Sequence, residues 1–156
     1  MKPSFIALRQ HYPRNTLQEA LFADIGWTDL VSKPAYRDTC AIRMSVALLA
    51  SGMSLPKARM KATAGMLEVR YIEPGQGKLS LILKRTWGKP EDYKGKLSAR
   101  DGIGKRSGVV SFFRIHGGGP ADGGHIDLIW PGINGFHECA RSCYFSASEI
   151  WFWPLE

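Results

Sequence analysis

Two hydrophobic periodicities divide this chain, and their order restricts its fold more than any other feature. Before Trp87, apolar residues recur at helical spacing: Ala41, Met44, Ala47 and Leu48 form one stripe that Gly52 closes, and Leu79, Ile82 and Leu83 form another that Gly88 and Pro90 close. After Gly108 the texture becomes β. Val109 to Ile115 is a branched and aromatic run, Ile126 to Trp130 alternates between two faces, and Ile150 to Trp153 reads as a last strand. Asn134-Gly135 is a hairpin-turn signal. Helices first and strands later predict an α+β fold with an antiparallel sheet rather than a doubly wound one. The first 38 residues carry only a weak helical pattern (Leu17, Ala20, Leu21) and are expected to wrap the core, while Lys94 to Ser107 reads as a polar connecting loop. With 156 residues and 44% hydrophobic content, the chain can bury one real core, which predicts a single domain over 1–156.

Charge narrows the partners less than it first promises. A formal charge of +7 favours polyanions, but the basic residues are scattered along the chain (Lys57, Arg59, Lys61, Lys84, Arg85, Lys94, Lys96) and form no arginine-rich block or aromatic and basic strand motif. Nucleic acid is therefore not the expected partner. No apolar run reaches the roughly 20 residues a membrane span needs, and Met1 to Gln10 lacks the features of a conventional secretion signal, so neither stable membrane insertion nor ordinary secretion is expected.

The three cysteines divide unevenly. Cys139 and Cys143 form a local pair with three residues between them, and Cys40 stands alone. A local pair can close a small loop in an oxidising compartment, leaving one unpaired thiol; three inert buried thiols is the bland reading. Cys40 falls at the first turn of the helix that Asp38 or Thr39 can cap, where unpaired backbone N–H groups and the positive end of the helix dipole stabilise a thiolate. Such a nucleophile needs a base. Of His11, His116, His125 and His137, the best placed is His125, which opens a strand directly after Gly123-Gly124. Asp127, two residues on, shares its face of the strand, whereas Ile126, Leu128 and Trp130 face the other way into the core.

Other chemistries are less well supported. His116 precedes three glycines, but no Lys-Ser or Lys-Thr follows to complete a phosphate-binding loop, and a flexible cleft rim is the better reading. His137, Cys139 and Cys143 offer three zinc ligands where a structural site needs four, so a disulfide is preferred and no metal is expected. No serine occupies a Gly-x-Ser-x-Gly elbow. Trp151 and Trp153 are expected in the core or the cleft wall.

The segment Thr39-Cys40-Ala41-Ile42-Arg43-Met44-Ser45 resembles the nucleophile helix of the type VI secretion amidase effectors, most closely their fourth family. The resemblance extends to Pro3-Ser4-Phe5, to His116-Gly117 leading into Gly124-His125-Ile126-Asp127-Leu128, to the paired Cys139 and Cys143, and to Trp151-Phe152-Trp153-Pro154. It implies a papain-like fold related to NlpC-type cell-wall peptidases. It also implies a cysteine amidase made in the cytoplasm and delivered by type VI secretion into the periplasm of a target bacterium. There it would cut the peptide stem of peptidoglycan between D-glutamate and meso-diaminopimelate. A cognate immunity protein that plugs the active site is the implied partner, and no cofactor is required.

On this reading Cys40 is the nucleophile and His125 the general base, with Arg43, His116 and Gly124 as substrate contacts and the Cys40 backbone N–H as an oxyanion donor. Two departures from the family pattern stand out. Where its members often carry an acidic residue between the paired cysteines to orient the histidine, this chain has Ala140-Arg141-Ser142; Asp127 is then the first candidate for that role and Glu138 the second. Gly118 replaces the aromatic residue that commonly follows the glycine after the first histidine. The competing readings are a thiol acyltransferase or lipase on a similar scaffold and a non-catalytic basic module that binds cell wall or nucleic acid.

Overall fold

The computed structural model describes residues 1–116 and 123–156. Its centre is a five-stranded antiparallel sheet in the order β3-β7-β4-β5-β6, built from β3 (Glu91–Tyr93), β4 (Gly108–Phe113), β5 (Gly124–Pro131), β6 (His137–Cys139) and β7 (Glu149–Pro154). All of these strands but the short β3 lie in the segment whose texture turned to β. The Asn134-Gly135 turn joins β5 to β6: both residues take the left-handed conformation, at φ 66° and 79°, which asparagine and glycine tolerate best. A smaller hairpin, β1 (Met60–Lys61) with β2 (Tyr71–Ile72), stands apart from the main sheet.

Both faces of the sheet are covered because both sets of alternating side chains are apolar. On one face Val109, Ile126, Leu128, Trp130 and Trp153 meet the helices α1 (Phe5–His11), α2 (Gln18–Ile25), α3 (Cys40–Ala50) and α4 (Gln76–Trp87). On the other, Val110, Phe112, Ile129, Ile150 and Phe152 meet α5 (Lys96–Ile103) and the segment around Phe145. The strand alternation inferred for β5 is thus observed. α3 is the central helix: nine of its eleven residues are buried, and Ile42, Met44, Ala47 and Leu48 lie fully inside. Buried side chains of the size of Leu or Ile each contribute about 1.5–3 kcal/mol, so this helix is held by packing more than by its intrinsic propensity.

Two helices depart from the sequence expectation. Lys96–Ile103, read as loop, is helical, anchored by only Ala99 and Ile103, one turn apart on an otherwise charged and polar surface. In α1 only Phe5 and Leu8 are buried, a stripe too short to show as periodicity. That helix is tied down by its ends: Ser4 Oγ accepts the Ala7 N–H at 3.2 Å, and the Phe5 N–H donates to the Glu156 carbonyl at 2.6 Å. The lead-in wraps the core with two helices, of which α2 coincides with the weak pattern at Leu17, Ala20 and Leu21. No helix among the described residues is long and apolar enough to cross a membrane.

Candidate active site

β6 covers the outer edge of β5 only from Ile129 onward, so the edge beside His125 to Leu128 is left for other groups. That gap is where the chemistry gathers. The first turn of α3 reaches it: the Ile126 backbone N–H is directed at the Cys40 sulfur, and Cys40 and His125 line one cavity of about 480 Å³. The same cavity is walled by Arg14, Asn15, Arg37, Asp38, Thr39, Ala140, Arg141, Ser142 and Tyr144. Its volume suits a ligand of a few residues.

The His125 ring is fixed on all sides that matter. Phe112, its register partner on β4, stacks at 6.3 Å with 16° between the planes, and Tyr144 meets it edge-on at 5.1 Å. Its Nε2 lies 2.7 Å from Asp127 Oδ2. Asp127 is fully buried, and its two carboxylate oxygens also accept the backbone N–H groups of Leu128 at 2.8 Å and of Arg141 and Ser142 at 3.0 Å each. The three backbone partners of this carboxylate all donate to it; a proton on Nε2 completes the same pattern and leaves Nδ1 as the basic nitrogen.

The interval between the cysteines that lacks an acidic side chain thus acts through its backbone. Cys139 and Cys143 are joined as a disulfide, which closes the loop that aims the Arg141 and Ser142 amides at Asp127 and removes both sulfurs as zinc ligands. Reducing this bond should cost activity about tenfold or more, because those two amides lose their fixed aim, and about 2 kcal/mol of stability through the loss of the closed loop. Turnover and thermal unfolding with and without a reductant, with alkylation checks that Cys40 stays free in both, measure the two effects. Unchanged turnover in the reduced protein would detach the loop from the site.

Glu138, the second candidate for orienting the histidine, points elsewhere. It pairs in register with Trp130 and accepts that indole N–H at 2.9 Å, on the face of β5 opposite His125.

Cys40 departs from the sequence expectation in two ways. Of the two capping candidates Asp38 supplies the side-chain bond: its Oδ1 accepts the Cys40 backbone N–H at 3.0 Å, so the donor expected for an oxyanion is engaged. The thiol is also not stabilised as a thiolate. Burial first, and the neighbouring Asp38 carboxylate next, push it well above its ordinary value, against a smaller opposing pull from the Ile126 N–H. At neutral pH the resting sulfur is a thiol, and a base must take its proton during attack. Alkylation of Cys40 by iodoacetamide is therefore expected to quicken steadily as pH rises past about 9; a rate already level between about pH 6 and 8 would mean a preformed thiolate.

The three residues proposed as substrate contacts are placed differently. Arg43 is only 2% exposed and is not in the cleft; its Nε donates to Thr39 Oγ1 at 2.8 Å and its Nη1 to the Pro13 and Thr16 carbonyls at 2.6 and 2.7 Å. It anchors the turn that carries Arg14 and Asn15 to the cavity. Gly124 is small for packing: a Cβ there would collide with the Gln76 side chain and lie 2.9 Å from the Phe112 carbonyl oxygen. His116 is exposed in a turn after β4, outside the residues that line the cavity. The adjacent glycines 117–119, including the Gly118 departure, lie outside the described residues.

Tyr12 was not expected at the site. It is buried, and its hydroxyl has no hydrogen-bond partner among the described residues. Burial, and then the charges of Asp127 and Cys40, push its phenol above the ordinary value, so it remains a neutral donor near the cysteine and the carboxylate. Arg14, Arg37, Arg141 and Tyr144 were likewise missed, since they belong to three separate loops that only the fold brings together.

Among solved structures, the type VI effector Tae4 from Enterobacter cloacae superposes with a TM-score of 0.76 at 23% identity, over 100% of this chain and 98% of that one. The effector Tae4 from Salmonella typhimurium, solved with the immunity protein Tai4 from Enterobacter cloacae, gives 0.74 at 20% identity over 99% and 100%. At these identities the likeness speaks for the fold. No curated protein matches the chain. The family model for type VI secretion system (T6SS) amidase effector protein 4 matches residues 36–153, a span that runs from just before Cys40 to the last strand. The chain belongs to the family of T6SS amidase effector protein 4.

Proposed function

We propose that this amidase effector is a papain-like cysteine peptidase, related to the NlpC-type enzymes, that cuts the peptide stem of peptidoglycan at the bond between D-glutamate and meso-diaminopimelate. The observation that carries the reading is the grouping of Cys40 and His125 on one cavity, with the buried Asp127 bonded to the far nitrogen of the imidazole at 2.7 Å. That order of thiol, imidazole and carboxylate is what a nucleophile, a base and an orienting group require.

In the proposed mechanism His125 Nδ1 takes the Cys40 thiol proton as sulfur bonds to the scissile carbonyl carbon. The same proton passes to the leaving amine, the C–N bond breaks, and a thioester remains on Cys40. Water, deprotonated by His125, attacks the thioester and restores the thiol. Asp38 is exposed, and as its carboxylate turns away from the Cys40 N–H that donor becomes open to the oxyanion. A raised thiol makes His125 essential to the first step, because attack and proton removal are coupled.

Delivery into the periplasm of a target cell, and neutralisation by a cognate immunity protein that plugs the cleft, belong to the same reading. The solved relatives with an immunity protein bound and the disulfide, which forms in an oxidising compartment, support it. Muropeptides incubated with the enzyme and resolved by mass spectrometry test the bond. Fragments ending in D-glutamate and beginning with diaminopimelate are expected; cleavage at the diaminopimelate to D-alanine crosslink would keep the chemistry and change the assignment.

A further inference from the structure

We infer that the cleft contains a subsite for a free carboxylate next to the scissile amide, formed by Arg37 on one wall and by Arg14 with Arg141 on the other. This rests on the amidase reading above and names what that site selects. The observation is the convergence of three arginines, Arg14, Arg37 and Arg141, on the one cavity that holds Cys40 and His125. Arg59, Arg106 and Arg114, away from the cleft, are paired with Glu73, Glu91 and Glu149 at 2.6, 2.6 and 3.2 Å. Among the described residues, the three that line the cavity around Cys40 have no carboxylate partner. Asp38 is the one acidic side chain among the described residues lining that cavity, and it forms no ion pair with any of the three arginines.

Two of the three are also held in place. Arg14 Nε donates to the Ala140 carbonyl at 2.6 Å, and Arg141 Nη1 donates to the Arg14 carbonyl at 2.7 Å, so Arg14 is tied to the loop that carries Arg141, and Arg141 to the backbone of Arg14. Neither guanidinium makes a further side-chain hydrogen bond among the described residues, and that of Arg14 also lies 5.5 Å from the centre of the Trp130 ring. A guanidinium with its stem fixed loses little freedom on binding and matches a carboxylate with two parallel hydrogen bonds. When glutamate is linked through its side-chain carboxyl, its α-carboxylate stays free, four bonds and about 5 Å from the scissile carbon. That is within reach of a cavity wall around the nucleophile. A stem whose glutamyl carboxylate is amidated would leave these charges without a partner.

The test compares L-alanyl-γ-D-glutamyl-meso-diaminopimelate with its twin whose glutamyl α-carboxylate is a carboxamide, in the wild type and in Arg37→Gln, Arg141→Gln and the double variant. The wild type should favour the free acid about 10- to 100-fold in kcat/KM, the scale set by removing one charge-assisted hydrogen bond. The double variant should bring that ratio close to one while still cutting the amidated peptide. The ratio separates recognition from damage, because loosening of the 140–142 loop slows both peptides alike. Equal cleavage of both peptides by the wild type would overturn the subsite and leave the amidase standing. An unchanged preference in the double variant would overturn the assignment to these arginines. Cleavage of neither peptide by the wild type would overturn the amidase reading and the subsite with it.

Discussion

Cys40→Ala should lower amine release from purified sacculi by at least about 10⁵-fold while the protein stays folded. In the proposed mechanism this deletes the atom that bonds to the carbonyl, and what remains is binding and polarisation in the cleft. The fold should survive because Cys40, though buried, is the first residue of α3 and only one sulfur is removed. Loss of so small a side chain costs on the order of 1 kcal/mol, a fall of about 2–4 °C in Tm for a domain of this size. Inactivity with an unchanged far-UV spectrum supports the nucleophile; inactivity with unfolding would make Cys40 a packing residue.

Asp127→Asn comes next in size. The side chain keeps its shape, but its amide NH2 now faces either the Arg141 and Ser142 N–H groups with the His125 nitrogen, in the place of Oδ2, or the Leu128 N–H, in the place of Oδ1, and no rotamer satisfies every one of these donors. Either the imidazole takes the wrong tautomer or the loop moves. A loss in kcat of about 10³-fold is expected, in keeping with the effect of turning an orienting carboxylate into an amide, with KM nearly constant. Glu138→Gln, on the opposite face of β5, should stay within about twofold. A large loss from the Glu138 change and none from the Asp127 change would reverse the roles.

The β half of the fold was legible because its signals are local. Branched runs give strands, and Asn134-Gly135 gives the turn between β5 and β6. The alternation of β5 also placed His125 and Asp127 together on one face before any contact was known, and the structure joins them through Nε2. α1 and α5 were not legible, since each buries only two residues and owes its place to contacts distant in sequence, such as Phe5 with the chain end. Arg43 shows the opposite error. It was expected as a substrate contact, but the carbonyls it binds come from the turn at Pro13 and Thr16, which no periodicity predicts. The Cys40 thiol was misjudged for a similar reason: the helix N-terminus is visible in sequence, whereas burial and the turn of Asp38 back onto the Cys40 N–H are not.

Covalent capture at the nucleophile tests the central claim most directly. A γ-D-glutamyl peptide carrying a diazomethyl ketone in place of the scissile amide would be mixed with the enzyme, and the label located by peptide mass mapping. One label per chain on Cys40, with activity lost in proportion and labelling slowed severalfold or more in Asp127→Asn, is the result expected of a Cys40–His125–Asp127 site. Continued hydrolysis with Cys40 unlabelled, or a label that silences the enzyme from another residue, would contradict it.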